Sequence, residues 1–336
     1  MSAAAARPVR RNAAVPGPVM LRLMMLLGVL VLVFALLLGG RLFNGTAVRS
    51  MAFQLPELGI LSLAMMIPLL SGGLDLSIIA TANLSALAMA YVFTHFGVGE
   101  TGTAALAWHG LALVAGLAVA MAVGLLNGSV IAYLGVSPIL ATLGSMTMVK
   151  GIAIGLTHGN VVSGFPDSIV FLGNGSVFGV PMALILFVLV AIPVSVLLSR
   201  TPLGGIIAMC GSNQEAVRFS GIDTRRVVLR IYVLSAVLSA VAGLVMMARF
   251  NSANAAYGES YLLITILAAV LGGIDPAGGF GKVGGLIMSL VILQLISTAA
   301  NLLGVSQFLT LALWGAILLA VAGISRLRAW LPMRFR

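Results

Sequence analysis

The stretch LMMLLGVLVLVFALLLGG, residues 23–40, contains no charged side chain. It is longer than the hydrophobic core of a signal peptide, and it runs into GGRLF without a small-residue cleavage site. A helix that crosses a membrane needs about 20 apolar residues. We therefore interpret this stretch as a first membrane span that stays in the protein.

The rest of the chain has the same character. Of its 336 residues, 61% are hydrophobic and 8% are charged, and the mean hydropathy is +1.17, which lies beyond the range of soluble globular proteins. No run alternates as the strands of outer-membrane barrels do. Because backbone groups in hydrocarbon must be satisfied within each segment, we predict an all-α polytopic membrane protein with about ten transmembrane helices. The predicted spans are residues 21–40, 52–71, 76–95, 104–126, 138–157, 177–199, 229–249, 259–273, 283–303 and 306–324.

The basic residues predict the orientation. With a cytoplasmic N-terminus, every lysine and arginine lies on the cytoplasmic side except Arg41, Arg49, Arg249 and the intramembrane Lys150. The positive-inside rule therefore predicts that both termini are cytoplasmic, and this topology accounts for the net charge of +10 without nucleic-acid binding. The predicted organisation is a cytoplasmic tail at 1–20, a transmembrane domain at 21–325 with a cytoplasmic loop at 200–228, and a cytoplasmic tail at 326–336.

The segment CGSNQEAVRFSGIDTRR, residues 210–226, is unusually polar for this chain. Ser212 and Glu215 match the S-x-x-E capping box, which predicts a helix start, and Gly221 offers a left-handed helix stop. The helix between them has about two turns and carries Ala216 and Phe219 on one edge. Such a short helix is marginal in water unless it packs against something. The pattern indicates a docking surface, and an ordinary loop is the alternative.

The same segment is tied to the next span. Asp223 or Thr224 is placed to cap the helix that forms the seventh span. We therefore predict a rigid connection between the polar segment and the membrane.

The polar segment also resembles a known family. Its residues Gly211, Asn213, Ala216, Ser220, Gly221 and Ile222 match the pattern G-x-N-x-x-A-x-x-x-S-G-I of sugar-type permease subunits of bacterial ATP-binding cassette importers. Similar stretches occur at 71–77, 127–146, 233–249 and 268–285. The resemblance implies that a separate ATPase contacts a cytoplasmic coupling loop, for which the candidate residues are Gly211, Asn213, Glu215, Ala216, Phe219, Ser220, Gly221 and Ile222.

The resemblance implies further partners and a location. It implies a second permease subunit, identical or paralogous, a periplasmic binding protein that delivers a sugar, polyol or furanose, and a bacterial inner membrane. ATP and magnesium would be bound by the ATPase, with no cofactor in this chain. Ile79, Phe280 and Lys282 depart from the family pattern, which leaves the substrate open.

Polar side chains in or beside the spans are candidates for a gate or translocation path. Asp75 and Ser77 follow Gly72 and Gly73, where a carboxylate suits either a structural cap of the third span or the inner gate that the resemblance implies. Buried ionisable groups often mark transport routes, although Glu57 and Lys150 have pairing or snorkelling as the alternative. The candidates are Asp75, Ser77, Asn83, Asn127, Thr142 and Glu57. The sequence GGID at 272–275 echoes 72–75 and hints at an internal repeat.

Enzyme chemistry is not indicated. The chain has eight acidic residues, and its three histidines, His95, His109 and His158, match no metal-ligand spacing. GFGKVG at 279–284 lacks the preceding strand of a dinucleotide fingerprint and the spacing of a Walker A loop. We therefore predict no catalytic residue and no metal.

Two other transport functions remain open at this point. An ATP-independent secondary transporter or channel would use the same helices, and the permeases for branched-chain amino acids share the fold that the resemblance implies. The capped loop favours coupling to an ATPase. The small number of buried charges favours a neutral, hydroxyl-rich substrate.

Overall fold

The computed structural model describes residues 17–97 and 102–330. In these ranges it contains twelve α-helices and four two-residue strands. The helices are α1 (Pro18–Leu38), α2 (Gly45–Leu70), α3 (Ile78–His95), α4 (Gly102–Leu134), α5 (Pro138–Thr157), α6 (Asp167–Asn174), α7 (Met182–Arg200), α8 (Pro202–Phe219), α9 (Thr224–Phe250), α10 (Tyr261–Leu271), α11 (Val283–Leu302) and α12 (Gln307–Trp330). The strands are β1 (Val162–Ser163), β2 (Ser176–Val177), β3 (Val180–Pro181) and β4 (Ser252–Ala253).

The polytopic all-α fold is confirmed. Within the described ranges, eight helices are long and apolar enough to cross a membrane, and α10 and residues 307–320 of α12 are shorter apolar helices. Each of these ten helices overlaps one of the ten predicted spans, with ends that differ by up to eight residues. The tails predicted at 1–20 and 326–336 fall largely outside the described residues, which begin at 17 and end at 330.

Two helices differ from the sequence-based expectation. Helix α6 was not predicted, and its eight residues are too few to register as a span. Helix α8 extends from Pro202 to Phe219, whereas only its last two turns were predicted. Thr201 explains the early start, because its hydroxyl accepts a hydrogen bond from the amide of Gly204 and Pro202 suits the first turn.

The middle of the molecule is formed by α2, α3 and α9, whose apolar windows are mostly buried, whereas α1, α4, α5 and α7 are mostly exposed at the periphery. Helix α4 approaches α9 closely at Gly124 and Gly128, where an added Cβ would crowd the α9 backbone at Tyr232 and Leu229. Small residues allow such close contact between helices in lipid, where dispersion contacts replace the hydrophobic effect.

The loops divide into two groups that lie on opposite faces. Strands β1 and β4 pair antiparallel, with Val162 opposite Ala253, and so join the connections that follow α5 and α9. On the other face, the amide of Gly279 donates to the carbonyl of Leu70 at 2.8 Å, which joins the connections after α10 and α2. By the positive-inside rule the second face is cytoplasmic, and it carries the predicted functional segments.

Candidate functional site

The predicted coupling segment, residues 211–222 and called the coupling segment below, is a kinked continuation of α8. Asn213 has an extended backbone (φ −161°, ψ 98°) inside the helix, and its Oδ1 accepts a hydrogen bond from the amide of Ala216 at 3.0 Å. Asn213 is therefore the cap of the terminal turns. The prediction that Ser212 and Glu215 form a capping box is wrong, because the Ser212 hydroxyl donates to the carbonyl of Ala208 in the preceding turn.

The end of the coupling segment is built as predicted. Gly221 has φ of +80°, and its amide donates to the carbonyl of Arg218 at 3.1 Å. Asp223 then caps α9 by accepting hydrogen bonds from the amides of Arg225 and Arg226 at 3.1 and 3.3 Å. The Arg226 guanidinium adds an ion pair to the same carboxylate at 2.9 Å. The predicted tie between the coupling segment and the seventh span is confirmed.

The coupling segment presents an exposed surface. The side chain of Phe219 is 90% exposed, whereas Val217 on the opposite side of the same turns is buried. Gly211 and Ile222 are partly buried at the two ends. The remaining candidate residues are all exposed, and these are Asn213, Glu215, Ala216, Ser220 and Gly221.

Gly211 anchors the coupling segment to the inner ends of the spans. A Cβ at this position would overlap the carbonyl oxygen of Leu70 and the amide nitrogen of Gly279. Only glycine allows the backbone of α8 to touch both connections at this point. The backbone at Gly211 is therefore in direct contact with the loops that follow α2 and α10.

These two connections, residues 71–77 (the Asp75 loop) and 272–282 (the Asp275 loop), have matching local structure. Asp75 Oδ1 accepts from the amide of Ser77 at 3.0 Å, and Asp275 Oδ1 accepts from the amide of Ala277 at 2.9 Å. Each loop also begins with a glycine at positive φ, +78° for Gly72 and +82° for Gly273. The internal repeat that the sequence hinted at has a structural counterpart in these loops.

Asp75 is the centre of a buried polar network. Its Oδ1 accepts from the Ser77 hydroxyl at 2.6 Å, and its Oδ2 accepts from the Ser235 hydroxyl of α9 at 2.8 Å. The side-chain amide of Asn127 in α4 donates to the Ser77 hydroxyl at 2.9 Å. The network thus joins the Asp75 loop to α4 and α9. The expected cap of α3 differs in detail, because Asp75 binds Ser77 ahead of the helix and does not bond to an amide within it.

Burial and hydrogen bonding have opposite effects on the ionisation of Asp75. Burial raises the pKa of its carboxyl, while the hydrogen bonds from Ser77 and Ser235 lower it. The net direction is upward, so the neutral form is more favoured than in water. Burial likewise raises the pKa of the Cys210 thiol in α8, which makes this cysteine less reactive than an exposed one.

Thr142 contacts the same inner loop. Its hydroxyl donates to the carbonyl of Pro138 at 2.8 Å and lies 3.3 Å from that of Leu74. Tyr232 of α9 also points its hydroxyl at the Leu74 carbonyl, at 3.5 Å. Four predicted residues, Asp75, Ser77, Asn127 and Thr142, therefore lie together at the inner face.

A cavity of about 890 Å³ opens beside this group on the cytoplasmic face. Its walls come from the Asp75 loop, from residues 131–138 at the end of α4 and the start of α5, and from the coupling segment and the start of α9. Gln214, Arg218 and Tyr232 are among the residues that line it. The coupling segment and the Asp75 loop therefore border the same cavity.

The two remaining path candidates lie elsewhere. The side-chain amide of Asn83 donates to the carbonyls of Ala255 and Tyr257 at 3.1 and 2.9 Å, and so fastens the outer connection after α9. Glu57 is 2% exposed in the core of α2. The structure does not bring either residue to the inner group.

Glu57 is paired, as one alternative predicted. Arg249 Nη1 lies 2.7 Å from Glu57 Oε1 in ion-pair contact, although not in hydrogen-bond geometry, and the Tyr261 hydroxyl donates to the same oxygen at 2.7 Å. Lys150 is paired as well, because its Nζ lies 2.6 Å from Glu259 Oε1 at a half-exposed position. Arg249 and Ser235 are the important residues that sequence reasoning missed as partners.

The three histidines lie at separate places on the outer face. His95 stacks on Tyr91 with ring centroids 4.0 Å apart, and the His109 ring lies 3.0 Å from the Ser168 hydroxyl. No group of three His, Cys, Asp or Glu side chains that would hold a metal ion occurs among residues 17–97 and 102–330.

Known permease proteins are similar to this chain over most of its length. Residues 47–322 match the family model described as branched-chain amino acid transport system / permease component. The ribose import permease protein RbsC of Bacillus subtilis is 34% identical, over 80% of this chain and 81% of its own length. The L-arabinose transport system permease protein AraH of Escherichia coli is 34% identical (80% and 79%), and the autoinducer 2 import system permease protein LsrD of Salmonella typhi is 30% identical (79% and 78%). No solved structure gives a significant match.

Proposed function

This chain belongs to the family of branched-chain amino acid transport system / permease components, and on that premise we propose that it is the membrane subunit of an ATP-driven importer for a sugar or a sugar-like polyol or furanose. It is a multi-pass permease of the bacterial inner membrane. In the proposed assembly, two permease subunits pair in the membrane and two cytoplasmic ATPases bind ATP and magnesium. A periplasmic binding protein delivers the substrate, and this chain carries out no catalysis.

The observation that carries the proposal is the coupling segment with its two mechanical connections. Gly211 is in close contact with the backbone at Leu70 and Gly279, and Asp223 joins the segment to α9. Because α9 carries Ser235, a pull on the segment reaches the Asp75 network along two routes. An ATPase that closes on binding ATP would contact Phe219 and its exposed neighbours and so move the coupling segment.

The proposed transport step is a rearrangement of the inner face. When the ATPases close, the coupling segment moves as a rigid body and draws the Asp75 loop with it. The cavity of about 890 Å³ beside this loop then changes its access between the two sides of the membrane. The hydrogen bonds that Ser77 and Ser235 donate to Asp75 stabilise the loop in the arrangement that precedes this movement.

Two observations support a neutral, hydroxyl-rich substrate. The relatives named above are named for ribose, L-arabinose and autoinducer 2. In this chain, the intramembrane Glu57 and Lys150 are each occupied by an opposite charge of the protein, at 2.7 and 2.6 Å. Charges that are already paired are poor partners for a charged substrate. The family description names branched-chain amino acids, which makes these zwitterions the second candidate.

Reconstitution tests both the coupling and the substrate class. The permease is placed in proteoliposomes with its copurified ATPase and binding protein, and uptake of pentoses, hexoses, deoxy sugars, polyols and branched-chain amino acids is measured with and without ATP. We expect uptake of a neutral polyol or sugar that requires ATP. Uptake that proceeds without any nucleotide would establish a secondary transporter, and uptake of leucine in preference to every sugar would establish the second candidate.

Two substitutions on the exposed edge of the coupling segment test the ATPase contact, one as the disruptive variant and one as its control. Ala216→Glu adds a bulky charge to the exposed edge of the coupling segment without breaking its helix, whereas Ala216→Ser keeps the size small. We expect the glutamate variant to lose ATPase copurification and the serine variant to retain it. Equal binding by both variants would place the ATPase contact elsewhere.

A further inference from the structure

The Asp275 loop carries an exposed aromatic side chain that the coupling segment does not account for. Phe280 is 71% exposed at the cytoplasmic face, next to Lys282. For a large apolar side chain in this connection, exposure to water is less favourable in free energy than burial.

The exposure of Phe280 is imposed by a rigid loop. Its carbonyl accepts a hydrogen bond from the amide of Asp275 at 3.0 Å, and the amide of Gly278 donates to the carbonyl of Asp275 at 2.9 Å. The neighbouring Gly279 is fastened to Leu70 at 2.8 Å. The backbone that carries the Phe280 side chain is therefore held by hydrogen bonds on both sides of the loop.

Phe280 follows Gly279, which lies against the coupling segment. The adjacent Gly279 and the helix residues Ser212, Asn213 and Ala216 line one groove of about 350 Å³, which also includes Met209. Met209 is 48% exposed, and Phe219 stands exposed at the end of the same helix. The exposed Met209 and Phe219 of α8 and the exposed Phe280 of the Asp275 loop therefore lie on two elements that meet at this groove.

The surroundings of this surface are basic. Basic side chains outnumber acidic ones in the described cytoplasmic stretches 200–230 and 272–282. The basic residues are Arg200, Arg218, Arg225, Arg226, Arg230 and Lys282, and the acidic ones are Glu215, Asp223 and Asp275. A complementary partner would have apolar pockets with an acidic rim.

We propose that Phe280 is a second apolar anchor for the ATPase, so that the docking surface is composite and extends from the coupling segment onto the Asp275 loop. This inference rests on the proposed function and adds the second element of its interface. The occupant is the ATPase because the surface is continuous with the coupling segment.

The first experiment measures binding of the copurified ATPase to the permease in nanodiscs. We expect Phe280→Ala to weaken binding about tenfold, as truncation of an apolar hot spot does, and Phe280→Arg to weaken it at least as much. Phe308→Ala is the matched control, because Phe308 is 86% exposed at the start of α12 on the opposite face. Unchanged affinity in both Phe280 variants, with Ala216→Glu still abolishing binding, overturns the composite surface but not the proposed function.

The second experiment separates an ATPase contact from a lipid contact. Cys210 is the single cysteine of the chain, so Phe280→Cys in a Cys210→Ala background gives one reactive thiol. We expect rapid labelling in ATPase-free nanodiscs and at least about tenfold slower labelling with the ATPase bound, as for Phe219→Cys. Slow labelling without the ATPase would show that Phe280 inserts into lipid and would overturn the proposal. If the wild-type chain binds no ATPase, the proposed function fails first.

Discussion

At the scale of single residues, Asp75 is important because its carboxylate bonds its own loop to α9, and Ser77 extends this network to α4. It accepts hydrogen bonds from the Ser77 and Ser235 hydroxyls, and in the described network neither hydroxyl has another acceptor. A typical hydrogen bond contributes about 0.5–1.5 kcal/mol, and a buried donor left without its acceptor costs about 1–3 kcal/mol. The residue therefore affects both stability and the movement of the inner loop.

Asp75→Ala should lower the stability of the permease by about 2–4 kcal/mol, because both hydroxyls lose their acceptor inside the protein. Asp75→Asn should cost much less, since the amide keeps the shape and burial already favours the neutral carboxyl by raising its pKa. Thermal unfolding in detergent measures both variants. An asparagine variant as unstable as the alanine variant would contradict this assignment.

Glu57 gives a second test at the same scale. Glu57→Gln leaves the partly buried Arg249 without its counter-charge, and breaking a buried pair costs about 3–5 kcal/mol. We expect a smaller loss for the double variant Glu57→Gln/Arg249→Met, because no unpaired charge remains. A double-mutant cycle compares the free energies of unfolding of the two single variants and the double variant. Strictly additive losses would show that the two side chains do not interact.

At the scale of elements, the kink in α8 separates a membrane-side helix from the coupling turns. Both Ser212 and Asn213 are residue types that cap helices, and the structure assigns the cap to Asn213. Gly211 explains the choice, because its contact with Leu70 and Gly279 fixes where the first helix must stop. The position of a kink is thus set by packing and not by the capping residue alone.

Asn213→Ala should destabilise the coupling turns by about 1 kcal/mol, the usual cost of a lost cap. Ser212→Ala is the control next to it and should stay within about 0.5 kcal/mol. Hydrogen exchange of the amides at 214–219 reports this difference as roughly fivefold faster exchange for the asparagine variant. The opposite ranking would restore the capping box that the sequence suggested.

At the scale of the whole molecule, the orientation is the property on which the proposed coupling depends. Cys210 is a poor probe of it, since the thiol is buried and its pKa is raised. Exposed positions serve better. Phe219 is 90% exposed on the coupling segment, and Phe178 is fully exposed in the hairpin formed by β2 and β3 on the opposite face.

In a Cys210→Ala background, Phe219→Cys should react with an impermeant reagent only from the cytoplasm, and Phe178→Cys only from the periplasm. The arginine distribution predicts this result. Labelling of intact cells and of inverted vesicles measures it. Reaction of Phe219→Cys in intact cells would invert the topology and remove the basis for an ATPase at the coupling segment.

Much of this architecture is local in the sequence and could be predicted. A span is recognised from about 20 consecutive apolar residues, and the Asp223 cap and the Gly221 stop act within a few residues. The family pattern likewise occupies consecutive positions. For these features, the residues that cause the structure are neighbours in the chain.

The contacts that make the site work are not local. Ser235 lies 160 residues from Asp75, and Tyr261 lies 204 residues from Glu57. No periodicity marks such partners, because a buried hydroxyl or guanidinium is placed by the packing of helices whose apolar surfaces look alike. The sequence by itself determined the membrane spans and the local caps and stops of the helices, and it predicts the orientation and the coupling role of residues 211–222. Tertiary packing alone decided which polar groups meet, since burial forces each to find a partner wherever the fold supplies one.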